Sequence, residues 1–210
     1  MSGLLDLLNS DIGKQMISGV SSQTGQSEGK TADVLSMALP VLMGAMKKNA
    51  STPEGASGLM NALSSKHDGG ILQNLGGLFD GGVDENTMQD GAGILGHILG
   101  QKQPEVENAL SSQSGIDAGS VGQILKVAAP ILMGVLGQQT RANNVNDSNG
   151  LTSLLGSMLG GQPKQNQSLI MSLIDSDGDG SVLDDVADIV IGSSKKKGGL
   201  GGLLGGLFGK

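Results

Sequence analysis

A nine-residue apolar segment containing a proline occurs twice in this chain, at an offset of 90 residues. Residues 38–46 read Ala-Leu-Pro-Val-Leu-Met-Gly-Ala-Met, and residues 128–136 read Ala-Ala-Pro-Ile-Leu-Met-Gly-Val-Leu. Around these segments, 11 of 30 positions are identical between residues 21–50 and residues 111–140. An internal repeat of this length predicts two homologous structural units that bury their apolar faces together.

Both copies lie within runs that are apolar on almost every side. Residues 34–46 contain one polar side chain, Ser36, and residues 124–136 contain one, Lys126. A helix that is apolar all round is either buried in a core or embedded in a membrane. Because these runs are about half the ~20 residues that a spanning helix needs, we expect two buried core helices.

The proline and the glycine of each copy constrain how these helices pack. Pro40 and Pro130 each remove one helical hydrogen bond, so each core helix is expected to kink or to restart there. Gly44 and Gly134 follow one turn later and predict the close approach of another backbone. The hypothesis is that the two core helices pack on one another near these glycines, about a pseudo-twofold axis.

Apolar periodicity places further helices at residues 3–20 (one helix or a pair), 71–79 and 92–99. Thr31 with Asp33 is expected to begin the first core helix, Thr52 and Pro53 the next helix, and Pro104 a helix of the second repeat.

No segment shows the alternation of a strand, so the predicted class is all-α. The expected architecture is two homologous helical repeats packed as one bundle, followed by an EF-hand-like loop and helix segment and a flexible tail. The predicted units are residues 1–90 (repeat one), 91–163 (repeat two), 164–192 (a calcium-loop helix pair) and 193–210 (a tail rich in Gly, Leu and Lys).

The composition limits both the core and the chemistry. The chain has 37 Gly, two Phe and no Trp, Tyr or Cys, so the core must be built from aliphatic side chains and Met. The absence of Cys excludes disulfides, thiolate metal sites and thiol catalysis. The net charge is −7, and the last sixteen residues carry four Lys and no acid. The acidic remainder argues against a nucleic-acid partner.

The N-terminal residues lack a basic region followed by a long apolar stretch, so no conventional signal peptide is predicted. The expected compartment is therefore the cytoplasm, while export by a non-classical route stays open.

Residues 90–100 form a Gly-rich segment that reads Asp-Gly-Ala-Gly-Ile-Leu-Gly-His-Ile-Leu-Gly. Together with the two apolar repeats and an Asp-rich segment near the C-terminus, it resembles the bacterial YidB-like family. The family is a catalogued domain of unknown function, and the resemblance covers about residues 1–192. It implies an all-helical bacterial protein and supplies no catalytic residues.

The strongest chemical motif is an Asp-rich loop at residues 175–186, Asp-Ser-Asp-Gly-Asp-Gly-Ser-Val-Leu-Asp-Asp-Val. Acids at positions one, three and five with glycine at six match the first half of an EF-hand calcium loop. Position twelve is Val186 instead of Glu, so the loop resembles a contracted one that Asp184 or Asp185 closes. A structural or weak Ca²⁺ site is expected rather than a sensor, and its alternative is a solvated acidic turn. The candidate ligands are Asp175, Asp177, Asp179, Ser181, Asp184 and Asp185.

Two histidines are the remaining candidates for chemistry. His97 is expected at a half-buried helical position and His67 in a loop, and no nucleophile elbow, phosphate loop or zinc motif accompanies them. An enzyme would require a polar pocket around one of these two residues.

The tail contains a second copy of an internal segment. Residues 204–208, Leu-Gly-Gly-Leu-Phe, duplicate residues 75–79 and contain the second of the two Phe. The tail is expected to be disordered. One functional alternative is contact of its three Lys and its spaced Leu with an anionic membrane surface. The other is occupation of the groove that holds residues 75–79, in the same chain or in another copy.

Taken together, these patterns predict a non-enzymatic calcium-binding protein with an interaction or structural role, through a protein partner or self-association. The alternative is a membrane-surface-acting or secreted protein that uses the basic Gly/Leu tail.

Overall fold

The computed structural model describes residues 4–160. In this range all regular secondary structure is helical, which confirms the all-α prediction. The predicted calcium-loop segment at 164–192 and the tail at 193–210 lie outside the described residues. Short 3₁₀ turns cover Gly70–Asn74 and Gly100–Lys102, and the α-helices are α1 (Leu4–Asn9), α2 (Asp11–Thr24), α3 (Glu28–Ala50), α4 (Pro53–Ser65), α5 (Leu75–Phe79), α6 (Glu85–Leu99), α7 (Gln103–Ser114), α8 (Ala118–Ala142) and α9 (Ser148–Leu159).

Most predicted helices are present with shifted ends. Residues 3–20 form a pair, α1 and α2, and residues 71–79 form a 3₁₀ turn followed by α5. The helix predicted at 92–99 is longer and begins at Glu85, so the predicted unit boundary at residue 90 falls inside α6. Pro104 lies in the first turn of α7, as expected.

Side-chain caps fix where the helices begin. Thr52 accepts a hydrogen bond from the Gly55 amide at 3.1 Å and caps α4, which begins where a helix start was predicted. The expected start of α3 at Thr31 is wrong, because Ser27 caps this helix and Thr31 is fully buried inside it. A buried residue one turn into a helix cannot lie at its solvated end.

Corresponding helices end and begin 90 residues apart. Helix α2 ends at Thr24 and α7 at Ser114, and each is followed by a left-handed glycine with φ of 67° at Gly25 and 66° at Gly115. Glycine adopts this conformation without the steric cost that a Cβ adds. Helices α3 and α8 begin three residues after these glycines.

Helices α3 and α8 are buried along most of their length. Pro40 and Pro130 lie inside continuous helices, so neither core helix restarts at its proline. Among residues 4–160, α8 is the one helix long and apolar enough to cross a membrane, and 78% of its most apolar window is buried inside the protein. This burial agrees with the predicted core helix.

The predicted meeting of the two core helices at their glycines needs correction. Helices α3 and α8 do contact one another, but a Cβ on Gly134 would lie 2.5 Å from Cγ2 of Ile71 and close to Leu72. The glycine of α8 therefore accommodates the 3₁₀ turn at 70–74, and Gly44 of α3 is half-buried.

Candidate functional site

An open groove lies between α4 and α6, with α3 and α8 beneath it. Its volume is about 910 Å³, which is within the size range of ligand sites in proteins. The groove is lined by apolar side chains of all four helices and by polar groups at its rim. The apolar lining residues are Met46, Leu59, Ala62, Ile94, Ile98 and Met133.

The α4 wall is lined by small residues at helical spacing. Gly55, Gly58 and Ala62 recur at intervals of three and four residues and line the groove, as expected for one face of a helix. A Cβ added at Gly58, or at Gly93 on the opposite wall, would meet nothing within 4 Å. The two walls therefore leave space that the described residues do not fill.

The α6 wall is polar along one face. Asn86, Gln89, Asp90, Gly93 and His97 line the groove, and their spacing of about one turn places them on the same side of α6. The groove therefore offers one small apolar wall and one wall that can exchange hydrogen bonds.

A cluster of three charged or titratable groups lies at one end of the groove. The Lys66 ammonium is 2.5 Å from Oδ1 of Asp90, and Nε2 of His67 is 3.8 Å from Oδ2 of the same carboxylate. This cluster connects the end of α4 to α6. Asp90 is held between two basic side chains while its own side chain stays 19% exposed.

His67 is buried beside α8. It lies in the turn after α4, as predicted, but is only 7% exposed. A Cβ on Gly137 of α8 would overlap the His67 carbonyl oxygen, so this turn is pressed against α8. Burial lowers the pKa of His67 below 6.5, the Asp90 charge opposes this shift, and the Lys66 charge adds to it. Burial and the Lys66 charge both disfavour the charged imidazolium, whereas the Asp90 carboxylate favours it.

His97 lies on α6 but is exposed, so its predicted half-buried position is wrong. Its backbone carbonyl accepts a hydrogen bond from Nδ2 of Asn49 at 3.1 Å, and the same amide nitrogen is 3.2 Å from the Ile98 carbonyl. Asn49 thereby ties the end of α3 to the end of α6 beneath the groove.

The groove meets the condition that an enzyme would require, because both histidines line it together with Asp90 and Glu54. The nearest side-chain atoms of His67 and Asp90 are 3.8 Å apart, which is too long for a hydrogen bond between them. Within residues 4–160, no group of three or more His, Asp or Glu could hold a metal ion.

The predicted calcium ligands, Asp175, Asp177, Asp179, Ser181, Asp184 and Asp185, all lie outside the described residues. Sequence reasoning singled out the two histidines of the groove but missed Asp90, Lys66 and Asn49, which surround them. Gly58 lies on an uncovered face of α4, whereas a Cβ on Gly55 would overlap the Asn49 carbonyl oxygen.

The fold and the groove define an all-α protein with one aliphatic core and an open cleft between two helices. The chain belongs to the family described as "Bacterial protein of unknown function (DUF937)", whose sequence model matches residues 6–139. The match includes both walls of the groove and ends within α8. The expected resemblance to a bacterial family of unknown function is confirmed at this level. No curated protein matches the chain, and no solved structure does.

Proposed function

We propose that this protein is a YidB-like member of the family and a non-enzymatic binding protein whose α4–α6 groove receives an amphipathic helix of a partner. The observation that carries this proposal is the pairing of a small-residue wall on α4 with a polar wall on α6. The small residues of α4 let the backbone of the partner helix approach closely. The polar side chains of α6 can form hydrogen bonds with polar residues of that partner helix.

The dimensions of the groove suit a helix. Helix α4 has 13 residues, and at 1.5 Å per residue its wall is about 20 Å long, or between three and four helical turns. Helix-in-groove recognition uses apolar anchors spaced along one face of the bound helix. Leu59 of α4 and Ile98 of α6 line the groove and are only half-buried, so their side chains can contact such anchors.

Charge favours a basic partner. The protein carries a net charge of −7, and Glu54 is exposed at the rim of the groove. At the opposite end Lys66 neutralises part of the Asp90 charge. A helix with lysines on its polar face would therefore be attracted to the rim around Glu54.

The test is binding of a fluorescein-labelled amphipathic helical peptide made of Leu and Lys. Gly58→Leu should fill the groove and weaken binding by at least about tenfold, a loss of roughly 1.4 kcal/mol. Gly29→Leu is the matched control, because a side chain there also meets open space but lies on α3 away from the groove. Equal affinity for both variants and the wild type would refute the groove as the site.

The Asp-rich loop supports a second proposed activity, the binding of Ca²⁺. Three acids at alternate positions and the following glycine are the arrangement that converges oxygen ligands on a hard cation. Calorimetric titration of the full chain should show Ca²⁺ binding that Asp177→Asn and Asp179→Asn together abolish. Absence of binding at millimolar Ca²⁺ would contradict this assignment.

A membrane-surface role of the tail is the alternative to partner binding. Its basis is the cluster of three Lys at 195–197 followed by spaced Leu residues. Co-sedimentation with vesicles of phosphatidylserine and phosphatidylcholine should then depend on residues 195–210. The cytoplasm is the proposed location for the partner-binding role, and an exported form belongs to the membrane alternative.

A further inference from the structure

The pentapeptide Leu-Gly-Gly-Leu-Phe occurs twice, and the two copies contain both phenylalanines of the chain. The first copy is α5 (Leu75–Phe79) and has a defined site on α2. The second copy, residues 204–208, lies outside the described residues. The contacts of the first copy therefore define a site whose side-chain requirements the second copy also meets.

The site on α2 is shaped around one glycine. A Cβ added at Gly19 would overlap the ring of Phe79, so the ring lies directly on the α2 backbone. Leu75 is buried, and Leu78 and Phe79 are half-buried against the core. The position equivalent to Gly19 in the second repeat is Ala109, whose methyl group would occupy the space that the ring needs. This site therefore exists once among the described residues.

Helix α5 is held in this site mainly by tertiary contacts. It has five residues, two of them glycine, and a helix this short has no stability of its own in water. Added side chains at Gly76 would meet open space, so this part of α5 packs against nothing. A local addition is the cap at Asn74, whose side chain accepts a hydrogen bond from the Gly77 amide at 3.2 Å.

We propose that residues 204–208 of the same chain compete with α5 for this site on α2 and occupy it when α5 leaves. The five side chains are identical, so both segments can make the same contacts with Gly19 and its surroundings. The residue before the pentapeptide differs, because Leu203 stands where α5 has the cap Asn74. Because the tail segment lacks this N-cap, its helix is less stable than α5. We therefore expect α5 to occupy the site in the wild-type protein and the tail to compete for it.

The chain is long enough for this exchange. Residue 204 lies 44 residues beyond Gly160, the last described residue, and an extended chain of that length reaches about 150 Å. Closing such a loop has an entropic cost that grows only slowly with length. The exchange therefore depends on small differences at the two segments, such as the cap, more than on the length between them.

The test uses the two phenylalanines as probes. Full-length protein labelled with fluorophenylalanine gives one ¹⁹F resonance for each of them, and Phe208→Leu assigns the signal of Phe79. In Phe79→Ala the site is vacated, so the Phe208 resonance should shift from its wild-type position toward the position of Phe79. An unchanged Phe208 resonance in that variant would overturn the proposal.

Two capping variants test the same competition without removing a ring. Asn74→Leu should shift the Phe208 resonance in the direction seen for Phe79→Ala, and Leu203→Asn should do so by strengthening the tail segment. Far-UV circular dichroism checks that each variant stays folded. A shift that disappears on dilution would show that the site is filled by the tail of another copy. That result would overturn the proposal that the tail binds within its own chain.

Discussion

Gly91 of α6 lies in direct contact with the backbone of Lys126 in α8, and a Cβ on Gly91 would overlap the Lys126 carbonyl oxygen. This contact sets the position of the α6 wall of the groove, because Asp90 is its neighbour in sequence and Gly93 lies less than one turn beyond. The position of the α6 wall thus depends on a backbone contact that only a glycine at residue 91 permits.

Gly91→Ala should destabilise the protein by about 1–3 kcal/mol, the usual cost of forcing an extra methyl group into a packed site. The measurement is the midpoint of urea unfolding. Gly96→Ala on the same helix is the control, because a Cβ there meets nothing within 4 Å. It should stabilise the protein by up to about 1 kcal/mol through helix propensity alone. A neutral Gly91→Ala would show that α6 can move away from α8.

Leu35 and Leu125 are a second pair to compare, because they lie 90 residues apart and both are fully buried. Each Leu→Ala change should cost about 2–5 kcal/mol. Both residues belong to one hydrophobic core, so each variant should shift a single cooperative unfolding transition. Two separate transitions, each sensitive to one variant, would instead indicate repeats that unfold independently.

The free energy of unfolding should decrease as the pH is lowered through the range where His67 titrates. The pKa of His67 is below 6.5 in the folded protein because burial disfavours the charged ring, so the unfolded chain binds its proton first as pH falls. The contribution is fully present above pH 6.5 and is lost as pH falls through the folded-state pKa. NMR titration of the His67 ring and urea unfolding at pH 7.5 and 5.5 measure both effects. In His67→Gln the pH dependence over this interval should shrink, and an unchanged dependence would point to other groups.

Gly25 and Gly115 should be equally sensitive to alanine. Both have φ near +66°, and added side chains at both would meet open space, so the cost comes from the backbone alone. We expect a loss of about 1–2 kcal/mol at each position. Thermal unfolding of both single variants tests this, and a large difference between them would show that the two helix ends are not equivalent.

The apolar repeats predicted the core helices correctly, because burial of a run such as residues 124–136 depends on composition that the sequence displays directly. The first turn of α3 was misplaced since Ser27, Thr31 and Asp33 are all acceptable capping residues. Only the packing of the finished helix shows that Thr31 is buried.

The candidate site was less accessible from the sequence. The backbone of His67 lies against Gly137, about 70 residues away, and no local pattern contains that contact. The groove is likewise a property of the spacing between α4 and α6. The two histidines can be recognised as candidates in the sequence, but only the fold shows that they line the same cleft.

The burial of α8 has a consequence for synthesis of the protein. This helix is apolar enough to resemble a membrane span, and its neighbours α3 and α6 precede it in the chain. A ribosome therefore completes α3 and α6 before α8 emerges, so both helices are present to cover it. A circular permutant that began with α8 would expose this helix to the membrane-insertion machinery before any cover existed.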